Sequence, residues 1–171
     1  KNAYQSICKF NTWTNEKGFG DLSLANKHFE KKCLKKGEPL ACVISAWHYG
    51  FINGEPNKNA KSVAKSKKYL KFACEKKSYA PACSYLGDLS LHGVGVPKDY
   101  QKAQKNYQEG CQEKDKYGCA KMGFLYEKGF WVDKNLTMAR ALYESGCQAD
   151  LGMFCASVGR MVKKSDRALA F

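Results

Sequence analysis

The stretch Ala82-Cys83-Ser84-Tyr85-Leu86-Gly87-Asp88-Leu89-Ser90-Leu91-His92-Gly93-Val94-Gly95-Val96-Pro97-Lys98-Asp99-Tyr100-Gln101-Lys102-Ala103 outlines one structural unit. It opens on a cysteine and an apolar run, breaks at a glycine-bearing loop, and re-enters helical periodicity at Asp99. From Asp99 onward, Ala103, Tyr107 and Cys111 fall four residues apart, which places them on one helical stripe. An aspartate at the head of such a stripe can cap a helix by accepting a bond from an orphan backbone N–H. The reading is a helix A after Cys83, a loop, then a capped helix B ending at Cys111.

The same ruler fits on either side. Cysteines pair by proximity as Cys33 and Cys42, Cys74 and Cys83, Cys111 and Cys119, Cys147 and Cys155. First cysteines recur every 41, 37 and 36 residues, and second cysteines every 41, 36 and 36. A fixed period near 36 is the mark of a repeat architecture. Twelve residues before each first cysteine lie Asp21, Ser62, Asp99 and Asn135, all competent caps. Eight before lie the small residues Ala25, Ser66, Ala103 and Ala139; four before lie Phe29, Leu70, Tyr107 and Tyr143. In helix A the pairs Leu86-Gly87, Met122-Gly123 and Val158-Gly159 match Ser45-Ala46. Glycine inside a helix costs about 1 kcal/mol against alanine, so its recurrence predicts a neighbour too close for a Cβ. Helix A is expected to end at Asn53-Gly54, at Gly93-Val94-Gly95 and at Gly129.

Nine cysteines in 171 residues suit either zinc or disulfides. Zinc knuckles place cysteines two to four residues apart, and none here are that close. Gaps of eight and nine residues read as four local bridges instead, each tying the end of helix B to the start of the next helix A. Cys8 remains. Gly18 and Gly20 follow it as Gly93 and Gly95 follow Cys83, so it takes a second-cysteine position whose partner is expected just ahead of Lys1, the alternative being a free or intermolecular thiol. No apolar signal-peptide core stands in the first ten residues, so a mature or trimmed sequence is expected. Cys155 onward lacks the glycine loop and is expected to form a terminal cap. The units fall at about 1–33, 34–74, 75–111 and 112–147, with the cap at 148–171, all in one domain spanning 1–171.

The Leu-Gly pair, the Gly-x-Gly-Val loop and the Lys98-Asp99-x-x-Lys102-Ala103 entry to helix B resemble a Sel1-like repeat. Met122-Gly123, Gly129, Lys134-Asn135 and Ala139 repeat the pattern more loosely. With one bridge per unit, the whole is similar to the Helicobacter cysteine-rich branch of that family. The resemblance implies an all-α fold, an α/α solenoid of tetratricopeptide-like two-helix repeats stapled by disulfides. It also implies a secreted or periplasmic protein that holds a protein or peptide in its concave groove, with effector-immunity or host-interaction roles in view. A mitochondrial intermembrane-space setting is the less favoured alternative.

Relatives of this kind have been linked to penicillin binding and weak β-lactamase activity, which makes Ser-x-x-Lys the motif to test. Two instances occur, Ser6–Lys9 and Ser62–Lys65, as 11 serines and 26 lysines would give by chance. No Ser-Asp-Asn or Lys-Thr-Gly completes the set, and Ser62 already has a reading as a cap. His28, His48 and His92 belong to no catalytic or metal motif. A β-lactamase-like hydrolase is therefore the alternative to a binding module, and no cofactor or metal is expected.

The net charge is +13, concentrated in residues 1–85, where 16 lysines face 6 acids. Such a field attracts acidic partners and anionic surfaces without specificity. Structural disulfides speak against specific nucleic-acid binding, which belongs mostly to reduced compartments. No apolar run of 18 residues exists, so no transmembrane segment is expected, and a monomer is. One position after the small residue of helix A looks into the groove of such a solenoid. It is occupied by Trp13, Trp47, Asp88, Phe124 and Arg160, with Val43, Tyr49, Ser84 and Glu127 nearby. Aromatic residues and arginine are frequent binding anchors.

Overall fold

A computed structural model of the chain describes residues 22–52, 55–95 and 97–169. Cys8, Trp13, Asp21, the Ser6–Lys9 pair and Asn53-Gly54 lie outside the described residues. Helices of type B are α1 (Leu22–Lys31), α3 (Ala60–Lys71), α5 (Tyr100–Gln112) and α7 (Leu136–Gln148). Alternating with them are the A helices α2 (Pro39–Gly50), α4 (Ala80–His92), α6 (Lys116–Lys128) and α8 (Gly152–Leu169). Each helix packs on the next, and the A helices also touch one another, α2 against α4 and α4 against α6. The A helices thus form an inner layer and the B helices an outer one: an α/α solenoid.

Two of the expected caps are in place. Asp99 Oδ1 accepts from the Lys102 amide at 2.8 Å, and Asn135 Oδ1 from the Met138 amide at 2.9 Å. In the long unit the cap moves to Asn59, whose Oδ1 accepts from the Ser62 amide at 3.1 Å. Ser62 is therefore inside the first turn, not ahead of it, and α3 starts three residues earlier than its neighbours' pattern predicts. The room for this comes from the four extra residues between Cys42 and Ser62, 20 against 16 in the next two units. At their other ends α1 and α3 each continue into a wide π-turn, Lys32–Lys36 and Phe72–Lys76. Those turns carry Cys33 and Cys74, the two cysteines with a nine-residue gap, and absorb the extra residue. Cys111 and Cys147, with gaps of eight, stay in regular α-helix.

Gly93 (φ 70°) and Gly129 (φ 72°) end α4 and α6 in the left-handed conformation, as the sequence predicts. After α2 the chain instead forms a two-residue strand pair, Phe51–Ile52 with Glu55–Pro56, a small hairpin within an otherwise helical array. All four disulfides have the predicted pairing, with Cα separations of 4.5 to 5.0 Å. The B-helix stripe is core: Ser66, Leu70, Ala103, Tyr107, Ala139 and Tyr143 are buried. Close approach also explains two of the helix-A glycines. A Cβ on Gly87 would lie 2.5 Å from the Tyr107 ring, and one on Gly123 would lie 3.0 Å from the Ala139 carbonyl. Gly159 differs, with nothing within 4 Å. Among the described residues no helix is long and apolar enough to cross a membrane.

Candidate functional site

The row one position past the small helix-A residue has a covered middle and open stretches on either side. Asp88 is 2 % exposed because α6 lies directly over it. Tyr117 of α6 donates its hydroxyl to Asp88 at 2.6 Å, Tyr107 of α5 donates at 2.7 Å, and the Lys121 ammonium sits 2.9 Å away. The Asp88 carboxylate pushes both phenols far up after burial has already done so. This is an interior anchor that fixes α4, α5 and α6 together, not a groove residue as its register suggests. Val43 and Ser84 are corrected likewise. Both are fully buried, and the Ser84 hydroxyl donates to Asp115, the cap of α6, at 2.6 Å.

Trp47 is half-buried, stacked on Phe51 at 4.4 Å between ring centroids and edge-on to Tyr85 at 5.6 Å. Tyr49 turns outward to the B helices. Its hydroxyl donates to Glu30 at 3.1 Å, Tyr69 donates to the same carboxylate, and the Lys65 ammonium lies over its ring. A helical step of 100° per residue puts the side chain two positions past Trp47 on another flank.

Phe124, Glu127 and Arg160 do come together. They line one open depression of about 160 Å³ on the inner layer, with Lys121, Tyr143 and Phe154 among its other walls. Burial would raise the Glu127 carboxyl, but the Tyr143 hydroxyl, donating at 2.8 Å, and Lys128 at 3.1 Å hold it below the ordinary range. Its charge is thus already matched. Arg160 spends one N–H on the Ser157 hydroxyl at 2.9 Å and is otherwise exposed. Lys121 is paired with Asp88 and Lys128 with Glu127, so the result is an aromatic floor beside one exposed guanidinium, able to hold an apolar side chain beside an anionic one. The sequence row missed Lys121 and Ser157, though both stand three residues before a row member and so share its helical face.

Among the described residues the one Ser-x-x-Lys pair is not assembled for catalysis. Lys65 directs its ammonium to Tyr49 at 3.4 Å and Glu30 at 3.6 Å, while Ser62 sits in the first turn of α3, so this Ser-x-x-Lys pair is not joined. Cys74, Cys83 and Glu109 cluster within 4.8 Å, but the two sulfurs are bonded to each other and offer no thiolate to a metal. Burial lowers the pKa of His48, keeping the imidazole neutral at pH values where an exposed histidine charges.

Residues 80–115 and 116–151 each match the model of the Sel1 repeat. The chain carries two Sel1 repeats. Solved Sel1 structures superpose on it. A Sel1 repeat protein from Oxalobacter formigenes has a TM-score of 0.67 and 23% identity, over 92% of this chain and 64% of that one. A protective antigen of uropathogenic Escherichia coli with an SLR fold scores 0.65 at 22% identity, over 93% of this chain and 32% of that one. Helicobacter pylori cysteine rich protein B scores 0.55 at 28% identity, covering 80% of this chain and 97% of its own. The chain therefore spans less than two thirds of the first two relatives. No curated protein matches the sequence at significance. Sel1 repeats are protein-interaction scaffolds, and the four disulfides are consistent with an oxidising compartment.

Proposed function

We propose that this Sel1-repeat array, taken as one domain over 1–171, is a secreted or periplasmic module that grips an acidic peptide or protein segment on its inner layer. The observation that carries the reading is the meeting of Phe124, Glu127 and Arg160 in one open depression with Lys121 and Lys128. An apolar partner side chain would pack on Phe124 while a carboxylate meets the Arg160 guanidinium, a planar fork suited to that group. The net charge of +13 adds a long-range field of matching sign. Effector neutralisation and host contact are both roles that such a grip can serve.

The oxidised chain, probed against an array of random ten-residue peptides, should select sequences rich in Asp and Glu with an aromatic or aliphatic neighbour. Arg160→Glu should abolish that selection while leaving the melting temperature near wild type; Phe124→Ala should abolish it too, at some cost in stability because the ring also packs on the core. Selection that survives both changes, or that shows no acidic bias, overturns the reading.

A further inference from the structure

Twelve residues past the second-position cysteines Cys8, Cys42, Cys83 and Cys119 the chain carries Gly20, Gly54, Gly95 and, in the fourth unit, Trp131. At the two of these positions that the structure describes the backbone is left-handed: Gly95 has φ +68° and Trp131 φ +60°. Glycine takes that conformation without steric cost, whereas a bulky side chain does not. Gly95 is doubly constrained, since a Cβ would collide with the Val63 side chain. Trp131 bears the strain and obtains little packing in exchange. Its side chain is 61 % exposed, and no ring contact or hydrogen bond of its own appears among the described residues. Phe130 beside it behaves conventionally, stacked on Tyr100 at 4.4 Å.

The surroundings of Trp131 are specific. It overhangs the start of α5, forming with Pro97, Lys98, Tyr100 and Lys102 an open depression of about 490 Å³. Lys102 also lines a second cleft of about 720 Å³ on the outer layer between α3 and α5. That cleft has Leu86, Leu89 and Val94 in its floor and Lys67, Lys71 and Lys105 on its walls. Five lysines serve the two hollows together, against the carboxylates of Glu75, Glu109 and the capping Asp99. The hollows share no residue with the Phe124 depression.

We infer that Trp131 is the apolar anchor of a second docking surface, on the outer layer, for an acidic protein segment. An aliphatic side chain of the partner packs on the exposed indole, and its flanking carboxylates meet Lys98 and Lys102. The segment then runs over Lys102 into the lysine-walled cleft. Charge complementarity selects the occupant, and an exposed tryptophan beside a basic rim has the composition of an interface hot spot.

The test uses the full oxidised chain, labelled with nitrogen-15, and a nine-residue peptide of alternating Glu and Leu. The Trp131 indole N–H resonance is the one missing from Trp131→Gly. The peptide should shift that resonance in wild type and in Phe124→Ala alike, while a Gln-Leu peptide of the same length should not. Lys98→Glu with Lys102→Glu should weaken the effect at least about tenfold. Trp131→Gly should abolish outer-layer binding and at the same time raise the melting temperature, since it restores the residue the loop geometry favours. An unmoved indole resonance overturns the inference even if the peptide binds on the inner layer. So does a lowered melting temperature in Trp131→Gly, which would make the indole a structural element. Vesicles of phosphatidylcholine with one-third phosphatidylserine should leave the resonance unmoved; a shift there without one from the peptide would assign Trp131 to a membrane surface instead.

Discussion

The Tyr107 ring packs against Gly87, so close that a methyl group on Gly87 would stand 2.5 Å from ring carbon Cε1. Tyr107 is held there by its hydroxyl bond to Asp88, the next residue of α4. Gly87→Ala should therefore destabilise the chain by about 2 kcal/mol, because a buried, hydrogen-bonded ring cannot yield cheaply. Gly159 holds the same register position in α8 with nothing within 4 Å. There the same substitution should stabilise by about 0.5 to 1 kcal/mol through better helix propensity. Urea denaturation of the two variants tests the pair, and equal signs would contradict close approach as the cause.

Asp88 collects two phenol hydroxyls and one ammonium inside the protein. Replacing it by alanine leaves Lys121, only 14 % exposed, without its counter-charge and both hydroxyls without their acceptor. A loss of about 3 to 5 kcal/mol is expected. Because the carboxylate touches α5 and α6 as well as its own helix, hydrogen exchange should accelerate in all three together. Acceleration confined to α4 would show that the cluster does not couple the units.

Each bridge closes a loop of eight or nine residues, and in the chain-entropy model that contributes about 2.5 kcal/mol. Cys111→Ser with Cys119→Ser should lower stability by about that amount. Full reduction should weaken the array far more, since four such contributions match the net stability of an ordinary domain. A non-reduced tryptic digest should show the same nearest-neighbour pairs, and thermal melting with and without reductant gives the magnitude.

Burial raises the Asp115 carboxyl above its ordinary value, against the lowering effect of the Ser84 hydroxyl and the Gly118 and Tyr117 amides, with the nearby Asp88 charge adding to the rise. A carboxyl whose pKa is higher folded than unfolded keeps its proton longer in the folded state. Stability should then fall as pH rises from the ordinary aspartate range through the raised value. Asp115→Asn preserves an acceptor for Ser84 and the Gly118 amide without the charge, so this slope should disappear. A pH series of melting temperatures for wild type and variant between pH 4 and 7 measures it. An unchanged slope would show that other groups set it.

Local chemistry was legible because it repeats. The helix alternation, the caps at Asp99 and Asn135, the helix-ending glycines and all four cysteine pairs follow from residue types at fixed spacing. Each involves groups within about a dozen residues of one another. The cap at Asn59 escaped because the long unit inserts its residues ahead of Ser62, which stands 20 past Cys42 where Asp99 and Asn135 stand 16 past Cys83 and Cys119. The groove row was harder for a different reason. Register tells which face of α4 a side chain occupies, but only the stacking of α6 against α4 decides that Asp88 is covered while Phe124 and Arg160 stay open. The strain at Trp131 stands between the two: the glycine column is written in the sequence, and its left-handed backbone only in the loop geometry. What the sequence determined alone was the repeat and its staples, which depend on neighbours along the chain. Which surfaces remain available to a partner was decided by contacts between units tens of residues apart.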